Sequence, residues 1–148
     1  MRTATIRRAT EQDLKRVEGL SGRWVSEGIT HGLAVTTEAV LRGYLGDYFW
    51  VAALDSAIVG YILGSVRESE GLAVIEQGET YLEIDEVYVL PEYRSMNAGH
   101  GLVDRLLQAS EENGVRRAVV YSASKQWQRV VGFYEKHGFQ MWFVQMYR

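Results

Sequence analysis

Arg94-Ser95-Met96-Asn97-Ala98-Gly99 is the stretch whose residue types best suit the holding of a small anion. It follows a strand-forming run with Ile84, Val87 and Val89. Pro91, the only proline in the chain, ends that run because it has no N–H to give a ladder. Beyond it, Leu102, Val103, Leu106 and Leu107 fall at the spacing of one helix face. A turn that opens straight into a helix leaves backbone N–H groups without partners and carries about half a positive charge, so it attracts phosphate. Asn97, Ala98, Gly99 and Gly101 are small enough for close approach, and Arg94 offers a charge-assisted contact. An ordinary strand-turn-helix connection shows the same short pattern, so both readings stand at this point.

Three acids, Glu83, Asp85 and Glu86, share that strand. Alternation puts Glu83 and Asp85 on the face of Val87 and Val89, unless a bulge intervenes, and Glu86 on the opposite face. A solvated strand face is the plain reading of such a set. Tyr134 closes an apolar stripe, Trp127, Val130, Val131 and Tyr134, in a helix expected over 125–137, and spacing alone makes it a core aromatic. There is no cysteine, hence no disulfide, thiolate metal site or cysteine nucleophile. The scattered His31, His100 and His137 form a poor metal set, so no metal is expected.

The elements that must position these residues alternate along the chain. A strand is expected over 3–8, then a helix opened by a capping box of Thr10 and Asp13, with Leu14, Val17, Leu20 and Trp24 on its buried face. A glycine-bearing loop, 28–35, leads to a helix started by Thr37, with Val40, Leu41, Tyr44 and Leu45 as its apolar side. Strands over 48–54 and 57–66 form a hairpin about the turn Asp55-Ser56. A polar loop, 68–79, with a short strand extension near 72–75, leads into the central strand. Strands over 115–121 and 139–147 enclose the last helix, which Gly138 ends. The pattern predicts an α/β sheet with helices on both faces.

Read together with the C-terminal stretch, the chain resembles the GNAT superfamily of acyl-CoA-dependent N-acetyltransferases. That family carries R/Q-x-x-G-x-G/A between a strand and a helix, where this chain has Arg94 to Gly99, and an F-Y-E-K-x-G-F-like segment, where it has Phe133-Tyr134-Glu135-Lys136-His137-Gly138-Phe139. The opening Ile6-Arg7-Arg8-Ala9-Thr10 with Asp13-Leu14, and Ile58-Val59-Gly60-Tyr61, match as well. Two positions depart: Asn97 replaces the first motif glycine, and Trp127 stands where many members have an asparagine, seven residues before the tyrosine. Asparagine is the residue other than glycine that best tolerates left-handed backbone.

The resemblance implies a single GNAT domain over 1–148, with a mixed, mostly antiparallel sheet of six to seven strands whose fourth and fifth strands splay apart. It implies acetyl-CoA as cosubstrate. Val87, Tyr88 and Val89 would pair with the pantetheine arm; Arg94, Ser95, Met96, Asn97, Ala98, Gly99 and His100 would hold the pyrophosphate; Trp127 would pack or cover the arm. Tyr134 would protonate the leaving thiolate. Glu83, eleven residues before Arg94, stands where some members place a catalytic glutamate, which would deprotonate the amine directly or through water. The loop 28–35 with His31, Tyr81 and the stretch 68–79 would select the acceptor, and the acids there suit a cationic one. The acceptor itself, a small amine, an antibiotic, a polyamine or a peptide N-terminus, stays open, as do a homodimer and the alternative of an acyl-CoA-binding regulatory module without turnover.

Length and charge agree with one such domain. At 148 residues a single core needs no staples, and a net charge of −3 argues against a general nucleic-acid partner. The start, MRTATIRRAT, has no apolar region behind its basic residues, and no apolar run reaches the roughly 18 residues of a spanning helix. The expectation is a cytoplasmic protein with no membrane partner.

Overall fold

Asp55 and Ser56 both adopt left-handed φ, 49° and 70°, the geometry of a two-residue hairpin loop, and fold β2 (Phe49–Leu54) back onto β3 (Ala57–Glu68). In this computed structural model, which describes residues 3–148, β1 (Thr5–Arg8) pairs antiparallel with β2, and β4 (Thr80–Val89) pairs antiparallel with β3. β5 (Arg117–Val120) joins β4 in parallel, so the order is β1-β2-β3-β4-β5. Met1 and Arg2, the start of the segment read for a leader, lie outside the described residues.

Helices cover both faces, as the sequence predicts. Alternation along β2 sends Phe49 and Val51 to one side and Trp50 and Ala52 to the other. On the first side, Leu14, Val17 and Leu20 of α1 (Leu14–Glu27) and Leu41 of α2 (Glu38–Arg42) pack with Tyr61, Leu63 and Tyr88. On the second, Leu102, Val103 and Leu106 of α3 (Ala98–Glu112) and Tyr134 of α4 (Trp127–Glu135) pack with Ile62, Leu82, Ile84 and Val89. Asp13 anchors the entry to α1: its carboxylate accepts from the Thr10 N–H at 2.8 Å and from the Arg7 guanidinium at 2.8 and 3.0 Å. In α2 the apolar face shrinks to Leu41. The helix ends at Arg42, and Val40 stays 53% exposed.

Among the described residues the sheet has five strands rather than six to seven. Residues 72–75 make only an isolated bridge, because the Ser69 hydroxyl donates to the Ile75 carbonyl and accepts from the N–H groups of Gly71 and Leu72, which takes up groups a ladder would need. Residues 139–147 form no strand. Their side chains suit one, but strand propensity expresses packing against neighbours, and this segment joins no sheet edge.

One irregularity positions the site. In the β3–β4 ladder Leu63 pairs with Glu86 and Gly64 with Ile84, so Asp85 is an extra residue, a bulge. Gly64 permits it: a Cβ there would lie 2.6 Å from the Glu83 carbonyl oxygen.

Candidate active site

The bulge reverses the parity of β4. Glu86 pairs with Leu63 and Glu83 with Ser65, two β3 positions on one face, the side covered by α1 and α2. The regular-pleat expectation that Glu83 shares a face with Val87 and Val89 is therefore corrected, since the extra residue shifts every side chain before it to the other side. Glu86 accepts from the Tyr61 hydroxyl at 2.6 Å and the Thr36 hydroxyl at 2.7 Å, and Asp85 accepts from the Ser65 hydroxyl at 2.8 Å. Burial pushes the Tyr61 phenol far up, with the Glu86 charge adding to it; burial and Asp85 push the Tyr44 phenol up to about 12. Arg67 Nε donates to Glu83 Oε2 at 2.6 Å, while the other Glu83 oxygen takes no hydrogen bond among the described residues. Glu83 and Glu86 thus share one face with Asp85 at the bulge between them, an arrangement suited to a cation.

Beside this face β4 loses its second neighbour. The β4–β5 ladder runs only from Tyr81↔Arg117 to Ile84↔Val120, which leaves the 85–89 backbone without a strand partner on that side. The loop after α1 closes the far end: the His31 N–H donates to the Ala123 carbonyl at 3.0 Å, and the Lys125 N–H donates to the Ile29 carbonyl at 2.8 Å. Nothing in the sequence pairs 29–31 with 123–125, which lie about a hundred residues apart.

At the end of β4 the chain makes a tight helical turn over Pro91–Met96 and passes through Asn97, at φ 59° and ψ 18°, into α3. The left-handed backbone expected at the motif glycine is present, and asparagine supplies it. The Asn97 side chain makes no capping bond, and the first bond of α3 is from the Gly101 N–H to the Asn97 carbonyl at 3.1 Å. The N–H groups of Ala98, Gly99 and His100 consequently have no acceptor among the described residues, which fits a bound pyrophosphate. The Arg94 charge goes elsewhere. Its Nε donates to the Val89 carbonyl at 2.9 Å, its Nη2 bonds Glu27 at 2.8 Å, and the guanidinium lies 5.5 Å from the centre of the Tyr88 ring.

Tyr134 sits on the opposite face from the acids, in the cluster with Ile84, Val89 and Ala98, and is 6% exposed. Phe133 and Phe139 meet its ring edge-on at 5.0 and 5.4 Å. Its hydroxyl has no hydrogen-bond partner among the described residues, and burial pushes the phenol well above its ordinary value, so it keeps its proton at neutral pH. Trp127, expected to pack, is 58% exposed at the first turn of α4. The sequence singled out Tyr134, Glu83 and the anion loop, of which Tyr134 shares an apolar cluster with Ala98 at the start of α3 and Glu83 lies on the other face of β4. The sequence missed the hydroxyl cage of Glu86 and the His137–Asp104 pair beside His100, because the residues in each come from different elements.

Among the described residues no group of histidines and acids could hold a metal ion, and no helix is long and apolar enough to cross a membrane. A partly unpaired stretch of β4, an uncapped helix start after it and a phenol packed among Ile84, Val89 and Ala98 are the features the fold gathers here. The sequence pattern of the acetyltransferase (GNAT) family matches residues 22–139, and the chain belongs to that family.

Solved structures agree in fold. A predicted acetyltransferase from Clostridium acetobutylicum, solved with acetyl-CoA, is 19% identical with TM-score 0.74 over 98% of this chain and 96% of that one. An aminoglycoside acetyltransferase from an uncultured soil metagenomic sample, solved with sisomicin, is 21% identical with TM-score 0.70, covering 98% and 95%. Glucosamine-6-phosphate N-acetyltransferase from Arabidopsis thaliana is 20% identical with TM-score 0.71, covering 99% and 97%. No curated protein matches the chain.

Proposed function

We propose that this protein transfers the acetyl group of acetyl-CoA to a primary amine of a small, cationic acceptor by direct attack in a ternary complex in the cytoplasm. The observation that carries the reading is the hydroxyl of the buried Tyr134, protonated and unclaimed by any described residue, across β4 from the acids. Acetyl-CoA supplies an activated acyl thioester. The 87–89 backbone would pair with its pantetheine arm, the N–H groups from Ala98 to His100 would hold its pyrophosphate, and Trp127 would lie over the arm. Glu83 takes a proton from the acceptor nitrogen, directly or through a water, using the carboxylate oxygen that Arg67 leaves free. Tyr134 gives its proton to the departing thiolate, so the C–N bond forms as the C–S bond breaks with charge balanced.

The acid face of Glu83, Asp85 and Glu86 supports a cationic acceptor, and the related folds that act on aminoglycosides and glucosamine phosphate make amino sugars the first class to try. His31, on the loop held to residue 123, would help select it. A homodimer belongs to the same proposal, supported by the exposed apolar run 141–147.

The test is release of free thiol from acetyl-CoA across a panel of amines, followed by a pH–rate profile of Glu83→Gln. Turnover with wild type and loss of the acidic limb in the variant are expected. A raised KM with an unchanged profile assigns Glu83 to binding alone. CoA binding without turnover on any amine would favour the regulatory module.

A further inference from the structure

A cavity of about 450 Å³ beside the start of α3 is lined by Asn97, His100, Asp104, Lys136 and His137, and three of these are joined in series. His137 Nδ1 lies 2.9 Å from Asp104 Oδ1, and His137 Nε2 lies 2.8 Å from His100 Nδ1. The His137 side chain is 6% exposed, which leaves its ring little room to turn over, and Phe133 stacks on His100 at 4.5 Å. A carboxylate only accepts, so the proton between Asp104 and His137 belongs to Nδ1. In the neutral pair His137 Nε2 is then an acceptor, His100 Nδ1 carries the other proton, and His100 Nε2 keeps a lone pair. One added proton changes only that end of the chain: His100 Nε2 becomes a donor, and the charge spreads along a line that ends on Asp104.

We propose that the Asp104–His137–His100 chain is a proton-coupled phosphate clamp, which takes up a proton when a phosphate group of the cosubstrate enters the cavity and so ties affinity to pH. This rests on the acetyl-CoA reading above. The cavity borders the N–H groups proposed for the pyrophosphate, since His100 belongs to both. Among the described residues Lys136 is the only permanent cation on its wall, and Asp104 opposes an anion until the histidine pair is charged. Burial, His137 and Lys136 hold His100 below its ordinary value, against the pull of Asp104, so His100 itself is largely uncharged in the free protein at neutral pH. A phosphate reverses that balance and raises the value in the complex. The added affinity is therefore fully present below the free-state value and is lost as pH rises through the bound-state value. A single proton limits the slope to about tenfold per pH unit.

Calorimetry of CoA binding to the full chain in two buffers of different ionisation enthalpy counts the protons taken up. Wild type is expected to take up more than His100→Gln, and the difference cancels the titration of the ligand's own phosphate, near pH 6. Asp104→Asn, on a side chain 72% exposed and so harmless to folding, is expected to lose part of the same uptake. Dephospho-CoA identifies the occupant: uptake retained points to the pyrophosphate, uptake lost to the ribose phosphate, and either outcome supports the clamp. If CoA binds with the same proton count to wild type and both variants, the clamp is overturned and the cosubstrate reading stands. Absence of heat with CoA overturns both.

Discussion

Tyr134 and the acids of β4 are set apart by the chemistry of their surroundings. A phenol in an apolar cluster with no acceptor stays protonated, whereas Glu86 accepts from two hydroxyls and Glu83 accepts from Arg67. A donor and an acceptor are thus available together across one strand. Tyr134→Phe deletes only the hydroxyl, which bonds to nothing in the described residues, and leaves the ring contacts with Phe133 and Phe139 in place. Its thermal midpoint should stay that of wild type while turnover falls by roughly 10²-fold or more, the scale of a lost acid–base group. Stopped-time thiol release with calorimetric melting measures both, and normal turnover would make the tyrosine a packing residue.

At the scale of elements, β3 and β4 carry the site through the bulge at Asp85. Gly64→Ala sets a Cβ 2.6 Å from the Glu83 carbonyl oxygen and 3.2 Å from a Leu82 methyl, and backbone cannot give way as a side-chain tip can. The variant should lose about 1–3 kcal/mol in urea unfolding, the range of overpacking, together with activity. A variant as stable and active as wild type would mean that the bulge tolerates the methyl. The bulge also marks where reading the sequence stops. Pro91, the αL-tolerant Asn97 and the stripe of α3 are local signals, so the strand-turn-helix was legible from them. The hairpin was legible too, from Asp55-Ser56. The extra residue at Asp85 depends on which β3 residue faces which β4 residue, a non-local register that alternation cannot supply, and so the face of Glu83 came out reversed. The segment 139–147 misled for the opposite reason: its side chains suit a strand, but pairing needs an edge elsewhere in the fold.

Across the whole molecule two unmet surfaces occur on one chain. β5 pairs only with β4, so its other edge carries no ladder. Elsewhere the run Met141-Trp142-Phe143-Val144 is 40–65% exposed, and Met146 and Tyr147 are 86% and 84% exposed. An open edge and a strand-forming apolar segment on the same chain are complementary between two copies related by a two-fold axis, because each contact then occurs twice. The Tyr147 ring meets His31 edge-on at 5.6 Å, so the tail ends at the loop proposed to select the acceptor. Sedimentation velocity over a range of concentrations should show a monomer–dimer equilibrium. Phe143→Glu combined with Met146→Glu, both at exposed positions, should shift it to monomer without lowering the thermal midpoint of the monomer itself. If the tail ordered by the partner also shapes the acceptor pocket, the variant's KM for the amine should rise while its affinity for CoA holds. A wild-type chain that sediments as a monomer at every concentration would remove the dimer from the proposal and leave the proposed transfer site as it stands.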